Sequence, residues 1–194
     1  MNLRLFVALE PPDLVRRRLG ALQSELKRAA GRHSAEVKWV PPENIHLTLQ
    51  FLGAVPEERV GDVERALAEA AAAASTLALE VRGAGGFPNA RRPRVLWAGI
   101  TGDLALLGAL AAELGRRLAP LGFPPEERAF SAHLTLGRAR DPHGLPGLAA
   151  ALSSVSTGPG APWRAHEVVL FQSHLSPAGP RYEALARVPL GAGR

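Results

Sequence analysis

Apolar and polar residues alternate in the segment Ile45-His46-Leu47-Thr48-Leu49-Gln50-Phe51-Leu52. This period of two is typical of a β-strand that buries one face. Part of it, His46-Leu47-Thr48-Leu49, recurs unchanged as His133-Leu134-Thr135-Leu136. The chain has only six histidines and five threonines, so chance explains two identical copies poorly. Each copy places an imidazole and a hydroxyl on one face of a strand and turns its leucines into the core.

The segments around the two copies share one plan of strands and helices, punctuated by proline and glycine. In the first half we expect strands at 3–10, 45–52 and 77–82 and helices at 13–30 and 56–74, with Gly53 ending the second strand. In the first helix, Leu14, Leu19, Leu22 and Leu26 are available for one buried face. In the second half we expect strands at 94–99, 130–138, 168–174 and 182–188, helices at 103–121 and near 145–152, and a turn at 176–180. A pseudo-twofold axis between the halves would bring the four polar side chains together.

Residues 83–93 form the most loop-like basic segment, with glycines at its start and Arg91 and Arg92 near its end. Glycine and proline favour turns, so we predict a connection between the halves. Two interpretations stay open for it. The segment is a solvated connection, or it lines a phosphate-binding cleft.

The composition limits the kinds of chemistry and the surroundings. The 194 residues carry a net charge of +5, and only two of the basic residues are lysines. Arginine forks match phosphate oxygens, which favours an anionic ligand, although a preference for GC-rich codons would give the same composition. The absence of cysteine excludes disulfides and thiolate chemistry. No apolar stretch is long enough for a membrane span and residues 1–10 do not resemble a secretory signal, so we expect a cytoplasmic protein.

Two histidines and two threonines on facing strands suit the cleavage of a phosphodiester. One imidazole can remove a proton from the attacking oxygen while the other delivers a proton to the leaving oxygen. Threonine hydroxyls can donate hydrogen bonds to the phosphate oxygens. This mechanism requires no metal or cofactor. A zinc site is the competing hypothesis, but neither copy contains an acidic residue, a cysteine or an HExxH pattern. An edge strand with a polar outer face is the plain structural alternative.

Other residues give weaker signals. His33, His143, His166 and His174 lie outside the repeat and are left without a catalytic role. The aromatic residues Trp39, Trp97, Trp163, Phe51 and Tyr182 could include one that stacks on a base, but core packing is the more common role of such residues.

With these residues in hand, the chain resembles the 2H phosphoesterase superfamily, and within it the RNA 2',3'-cyclic phosphodiesterases once named 2'-5' RNA ligases. The resemblance lies in the two His-x-Thr-x motifs and in several flanking segments. These segments are residues 4–9, 39–53, 92–97 and 173–175, with Gly179 and Tyr182. It covers nearly the whole chain.

The resemblance implies an α+β fold of two pseudo-symmetric α/β lobes, whose mainly antiparallel sheets face a central cleft, in one domain at 1–194 made of two intertwined lobes. It implies hydrolysis of RNA 2',3'-cyclic phosphate ends to 2'-phosphomonoesters, with His46 as proton donor and His133 as proton acceptor. Thr48 and Thr135 would bind the phosphate. Arg138, five places after the second histidine, would contact a substrate phosphate. Strand parity alone puts Arg138 on the wrong face, so we expect a β-bulge or a strand end before it.

The expected partners are RNA ends or small cyclic nucleotides, with no membrane, no metal and a monomeric protein. Two other functions stay open. A 2'-5' RNA ligase or 2'-5' phosphodiesterase could use the same site, and a non-catalytic RNA-binding module could keep the fold and the basic cleft. Intact histidines in both motifs argue against the module, because arginine or lysine would serve for binding alone.

Overall fold

The structure, a computed structural model, describes residues 1–155, 160–177 and 179–191. Its strands are β1 (Asn2–Leu9), β2 (Val37–Trp39), β3 (Leu47–Pro56), β4 (Leu77–Phe87), β5 (Val95–Gly102), β6 (His133–Ala139), β7 (Ala161–Ala165), β8 (Glu167–Ser176) and β9 (Gly179–Pro189). Its α-helices are α1 (Asp13–Ala30), α2 (Val60–Ala73), α3 (Leu104–Leu118) and α4 (Ala149–Ser154). Short 3-10 turns adjoin most of the helices.

The strands form two sheets. The first has the order β3-β1-β8-β9, and the second has the order β2-β6-β5-β4-β7. Every strand pairing in the described part of the chain is antiparallel. This confirms the predicted α+β class with antiparallel sheets, and it puts one histidine motif in each sheet.

Helices α1 and α3 each pack beside the sheet of the other half. Helix α1 follows β1 of the first sheet but packs against α4 and β7, beside the second sheet. Helix α3 follows β5 of the second sheet but packs against α2 and β3, beside the first sheet. Because one helix of each half packs against the other half, most of the buried residues form one continuous cluster that spans both sheets.

Helix α1 shows how the sequence sets this packing. Its buried residues Val15, Leu19, Leu22 and Leu26 recur every three or four positions, which places them on one face. Leu14, which we predicted for this face, is 58% exposed, and Val15 takes its place. The buried Gln23 donates its amide to the carbonyl oxygens of Val40 and Leu136, and so ties the helix to the strand of the second motif.

Two predicted strand ends are wrong. Gly53 does not end β3, because the strand continues to Pro56 in register with the first residues of β1. Residues 83–87 are not a connection, because β4 continues to Phe87 opposite β5 and only the residues from 88 onward turn. Gly53 and Gly83 take positive φ angles of 70° and 74°, which glycine allows within a strand at a local irregularity.

The other elements follow the predictions closely, and the short strands β2 and β7 are additions that local patterns do not reveal. The predicted turn at 176–180 is too long, because Ser176 still belongs to β8 and Gly179 and Pro180 already belong to β9, where they pair with Ser176 and Leu175; residue 178 lies outside the described residues. In the described part of the chain, no helix has the length and apolar character that a membrane crossing requires.

Candidate active site

His46 lies at the residue before β3 and is held from two sides. Its Nδ1–H donates to the carbonyl oxygen of Asn44 at 2.8 Å. Its ring stacks on Phe6 of β1, with centroids 4.6 Å apart, and meets the ring of Tyr182 edge-on at 5.1 Å. Phe171 of β8 adds a tilted contact at 6.2 Å. The imidazole is therefore fixed in orientation and largely shielded from water.

His133 is the first residue of β6, and a nearby backbone carbonyl holds its ring in the same way. Its Nδ1–H donates to the carbonyl oxygen of Ser131 at 2.7 Å. Here the aromatic ring of Phe87 meets the imidazole edge-on, with centroids 5.0 Å apart. The surroundings of His133 are accordingly more open than those of His46.

In both motifs, the Nδ1–H group of the histidine thus donates to the carbonyl oxygen of the residue two positions earlier. A carbonyl oxygen only accepts, so each Nδ1 carries a hydrogen and each neutral ring presents the lone pair of Nε2 for proton exchange. The repeated sequence alone does not show this shared anchoring of the two imidazoles.

The two motifs pair in the same way with a neighbouring strand, β1 for the first motif and β5 for the second. Thr48 lies opposite Ala8 and Thr135 lies opposite Trp97, and both threonines are half-buried beside their histidines. The four leucines of the motifs are buried, as the alternation predicted. The register shifts by one residue in both strands at the second leucine of the motif, Leu49 or Leu136.

The shift at Leu136 decides where Arg138 points. Trp97 lies opposite Thr135, whereas Val95, two residues earlier in β5, lies opposite Arg138. Residues two apart in a strand share a face, and so do opposed residues, so Arg138 shares the face of Thr135 and His133. The β-bulge that the sequence required is present, and Arg138 is exposed on that face.

Arg138 also shows that the two sheets face each other. Its charge, with that of Arg4, acts on the phenol of Tyr182 and opposes the rise in the pKa of Tyr182 that burial causes. Arg138 belongs to the second sheet, and Tyr182 belongs to the first and touches His46. The faces that carry the two motifs therefore lie near each other across the central cleft.

Burial changes the acidity of His46. The loss of water around its ring lowers its pKa from 6.5 to about 4, although the hydrogen bond to Asn44 and the charge of Glu10 act in the opposite direction. Near neutral pH the unliganded site therefore holds His46 as the neutral imidazole. A nearby anion would favour the protonated form again.

Glu10 is one of the residues that the sequence did not single out. Burial raises its pKa, but hydrogen bonds from Arg187 and Arg16 outweigh burial and hold the pKa below its ordinary value. The carboxylate accepts from Arg16 at 2.5 Å and from Arg187 at 2.6 Å. Glu10 also lines a small pocket that contains His46, and the other lining residues are Arg16, Glu43, Asn44, Ile45, Phe171 and Tyr182.

Phe6 and Asn44 were also missed. Phe6 is an apolar residue in a strand, and nothing in its neighbourhood in the sequence indicates a stacking role. Asn44 holds His46 through its carbonyl and holds the start of β9 through its side-chain amide, which donates to Pro180 at 2.9 Å. Of the aromatic candidates for stacking, Trp163 is only 3% exposed and packs in the core.

In the described part of the chain, no three histidine, aspartate or glutamate side chains come together as metal ligands. The metal-free mechanism stays a prediction.

Comparison with known proteins places this geometry in a family. The sequence profile of the family described as "LigT like Phosphoesterase" matches residues 9–97 and 103–182. The chain belongs to the LigT-like phosphoesterase family. The predicted resemblance to 2H phosphoesterases is thereby confirmed.

Individual LigT-like relatives agree along almost their full length. An RNA 2',3'-cyclic phosphodiesterase of Archaeoglobus fulgidus is 36% identical over 94% of this chain and 98% of its own. An RNA 2',3'-cyclic phosphodiesterase of Methanothermobacter thermautotrophicus is 34% identical over 94% of this chain and 96% of its own. Among solved structures, E. coli LigT complexed with 3'-AMP superposes with a TM-score of 0.74 at 26% identity, covering 98% of this chain and 99% of that one.

Proposed function

We propose that this protein hydrolyses RNA 2',3'-cyclic phosphate ends to 2'-phosphomonoesters without a metal. The observation that carries the proposal is the pair of identically anchored histidines, one in each of two sheets that face one cleft. The names of the relatives in the same family support the substrate class.

In the proposed reaction a water oxygen attacks phosphorus and the bond from phosphorus to the 3'-oxygen breaks. His133 accepts the proton of the attacking water at Nε2, and His46 delivers a proton from Nε2 to the departing 3'-oxygen. The more open surroundings of His133 suit contact with water, and the aromatic enclosure of His46 suits a proton that must not be lost to solvent.

The remaining polar groups would hold the phosphate. Thr48 and Thr135 lie beside their histidines in the two strands and would donate hydroxyl hydrogen bonds to the non-bridging oxygens. Arg138, exposed on the face of Thr135, would contact a substrate phosphate with its guanidinium group.

The low pKa of His46 adds one requirement. A proton donor must be protonated, yet His46 is neutral near pH 7 in the unliganded site because its pKa is about 4. The negative charge of the bound phosphodiester would raise this pKa, since a nearby opposite charge favours the imidazolium. We infer that His46 takes up its proton as the substrate binds.

The experiment is product analysis with EDTA-treated protein and an oligoribonucleotide that ends in a 2',3'-cyclic phosphate. We expect a 2'-phosphate product from the wild-type protein and a large loss of turnover in His46→Ala and in His133→Ala. His143→Ala is the matched control, because His143 is exposed and outside both motifs. Its turnover should equal that of the wild type.

The outcomes separate the related functions. A 3'-phosphate product would overturn the assigned regiochemistry, and loss of activity with EDTA that zinc restores would overturn the metal-free mechanism. Turnover of only a 2'-5' linked substrate would replace the proposal with a 2'-5' phosphodiesterase. Retention of cyclic phosphate hydrolysis in either histidine variant would remove that histidine from the mechanism.

We further propose that the chain works as one domain, because helices α1 and α3 each pack beside the sheet of the other half. Limited proteolysis should then leave no half that stays folded. A monomeric state and a cytoplasmic location stay predictions, and sedimentation equilibrium would test the first.

A further inference from the structure

Lys38 lies directly beside Arg138 in the second sheet. In β2, Lys38 is opposed to Arg138 of β6, and Arg138 is opposed in turn to Val95 of β5. Opposed residues on antiparallel strands project from the same face, with their Cα atoms roughly 5 Å apart. Because Arg138 shares the face of Thr135, Lys38 also projects from the face of the sheet that carries the second motif.

The burial of the residues in β2 supports this orientation independently. Val37 is 3% exposed, and Trp39 is partly buried and packs against the core. The ammonium group of Lys27, on helix α1, lies 5.2 Å from the ring centroid of Trp39. Lys38, between these two residues, is exposed. Since neighbouring side chains of a strand alternate between faces, Lys38 points away from α1 and toward the cleft.

The pair of Lys38 and Arg138 has no acidic partner. In the part of the chain that the structure describes, neither cation forms an ion pair with a carboxylate. By contrast, Arg187 of the first sheet is paired with both Glu10 and Glu167. Like charges directly opposite each other destabilise a sheet, so a bound anion would relieve the repulsion between Lys38 and Arg138.

Arg4 adds a third cation on the other side of the cleft. It lies two residues before Phe6, whose ring stacks on His46, so Arg4 and Phe6 share a face of β1. The charges of Arg4 and Arg138 both act on the phenol of Tyr182. Arg4 also has no carboxylate partner among residues 1–155, 160–177 and 179–191. Cations without acidic partners therefore gather at this end of the cleft from both sheets.

These cations lie beyond the place proposed for the terminal phosphate. Trp97 is opposed to Thr135 and Val95 to Arg138, so Arg138 is two residues of β5 farther along, roughly 7 Å. Lys38 lies one strand farther out, toward the edge of the sheet. Lys38 is therefore placed for a second phosphate, next to the one that the motifs would hold.

We propose that Lys38, beside Arg138, binds the phosphodiester that precedes the terminal nucleotide, so that oligoribonucleotide ends are preferred over cyclic mononucleotides. A mononucleotide has no such phosphodiester and leaves Lys38 without an anion. This inference rests on the proposed function, because it takes the terminal cyclic phosphate to be held between the two motifs.

The test compares two dinucleotides that both end in a 2',3'-cyclic phosphate, with the full-length protein. The internal link of the first is an ordinary phosphodiester, and that of the second is an uncharged methylphosphonate. For the first we expect Lys38→Gln to raise KM by roughly 3- to 10-fold, as a solvent-exposed charged contact allows, with kcat nearly unchanged. For the second the variant and the wild type should have equal KM values.

Two further variants sharpen the comparison. Lys38→Arg keeps the charge and should keep the KM of the wild type for the phosphodiester substrate. Lys27→Gln is the matched control, because it removes the same charge from α1, on the opposite side of Trp39. It should leave both KM values unchanged.

The two proposals fail in different ways. If the wild type turns over neither dinucleotide, the proposed function is wrong and the inference about Lys38 falls with it. If the wild type turns over both dinucleotides with equal KM values, only the inference about Lys38 is wrong. The same holds if Lys38→Gln leaves KM unchanged or raises it equally for both substrates.

Discussion

The ring of Tyr182 stands edge-on against the ring of His46, with centroids 5.1 Å apart and planes at 88°. Tyr182 comes from β9, near the other end of the chain, and it completes an enclosure whose other walls are Phe6 and Phe171. This enclosure removes water from His46 and lowers its pKa to about 4. The ring contacts of His46 therefore differ from those of His133, although the two motifs have the same sequence.

The stability of the protein should therefore fall as pH falls from about 6.5 to about 4. In this window the unfolded chain protonates His46 and the folded protein does not, so protons favour unfolding. Wild-type protein should lose about 2 to 3 kcal/mol more of its unfolding free energy across the window than His46→Gln does. Urea unfolding at pH 7 and pH 4 measures the difference. Equal losses in both proteins would contradict the low pKa.

Opening the enclosure should return the pKa of His46 toward 6.5. Tyr182→Ala exposes the imidazole to water, and desolvation is the largest cause of the lowered value. Tyr182→Phe is the matched control, because it keeps the ring edge and should keep the pKa low. NMR titration of the His46 ring proton measures both variants. A low pKa in Tyr182→Ala would show that Tyr182 does not provide the burial.

Arg138→Ala should weaken the turnover of an oligoribonucleotide that ends in a cyclic phosphate. A lost guanidinium contact to phosphate should raise KM by about tenfold or more. It should also reduce the slope of log(kcat/KM) against log salt concentration by about one. Arg164→Ala removes the same charge from the edge strand β7 and should change neither quantity. An unchanged salt dependence in Arg138→Ala would remove Arg138 from phosphate binding.

Gly85→Ala should be destabilising, because the added carbon would lie 2.2 Å from the ring of Trp97. The ring must move, and overpacking of this kind costs about 1 to 3 kcal/mol. Gly108→Ala is the opposite case, since Gly108 lies inside α3 with nothing within 4 Å of the added carbon. It should stabilise the protein by about 0.5 to 1 kcal/mol. Thermal unfolding of both variants measures the contrast, and a stable Gly85→Ala would show that Trp97 does not pack tightly there.

The elements that depend on local patterns could be predicted from the sequence. The alternation around His46 and His133 predicted strands with buried leucines, and the apolar period of residues 13–30 predicted α1. It also identified the repeat that defines the candidate site. These predictions succeeded because burial on one face of a strand or helix is written in the spacing of neighbouring residues.

The features that depend on partners distant in the chain became visible in the fold alone. Gly53 and the residues from 83 to 87 stay in strands because β1 and β5 pair with them, which no local signal shows. The bulge at Leu136 turns Arg138 to the cleft, and its position depends on the register against β5. The acidity of His46 depends on burial beside the rings of Phe6, Phe171 and Tyr182, each of which lies far from His46 in the sequence. Register and desolvation are properties of contacts between segments, so a sequence can specify them only through the finished fold.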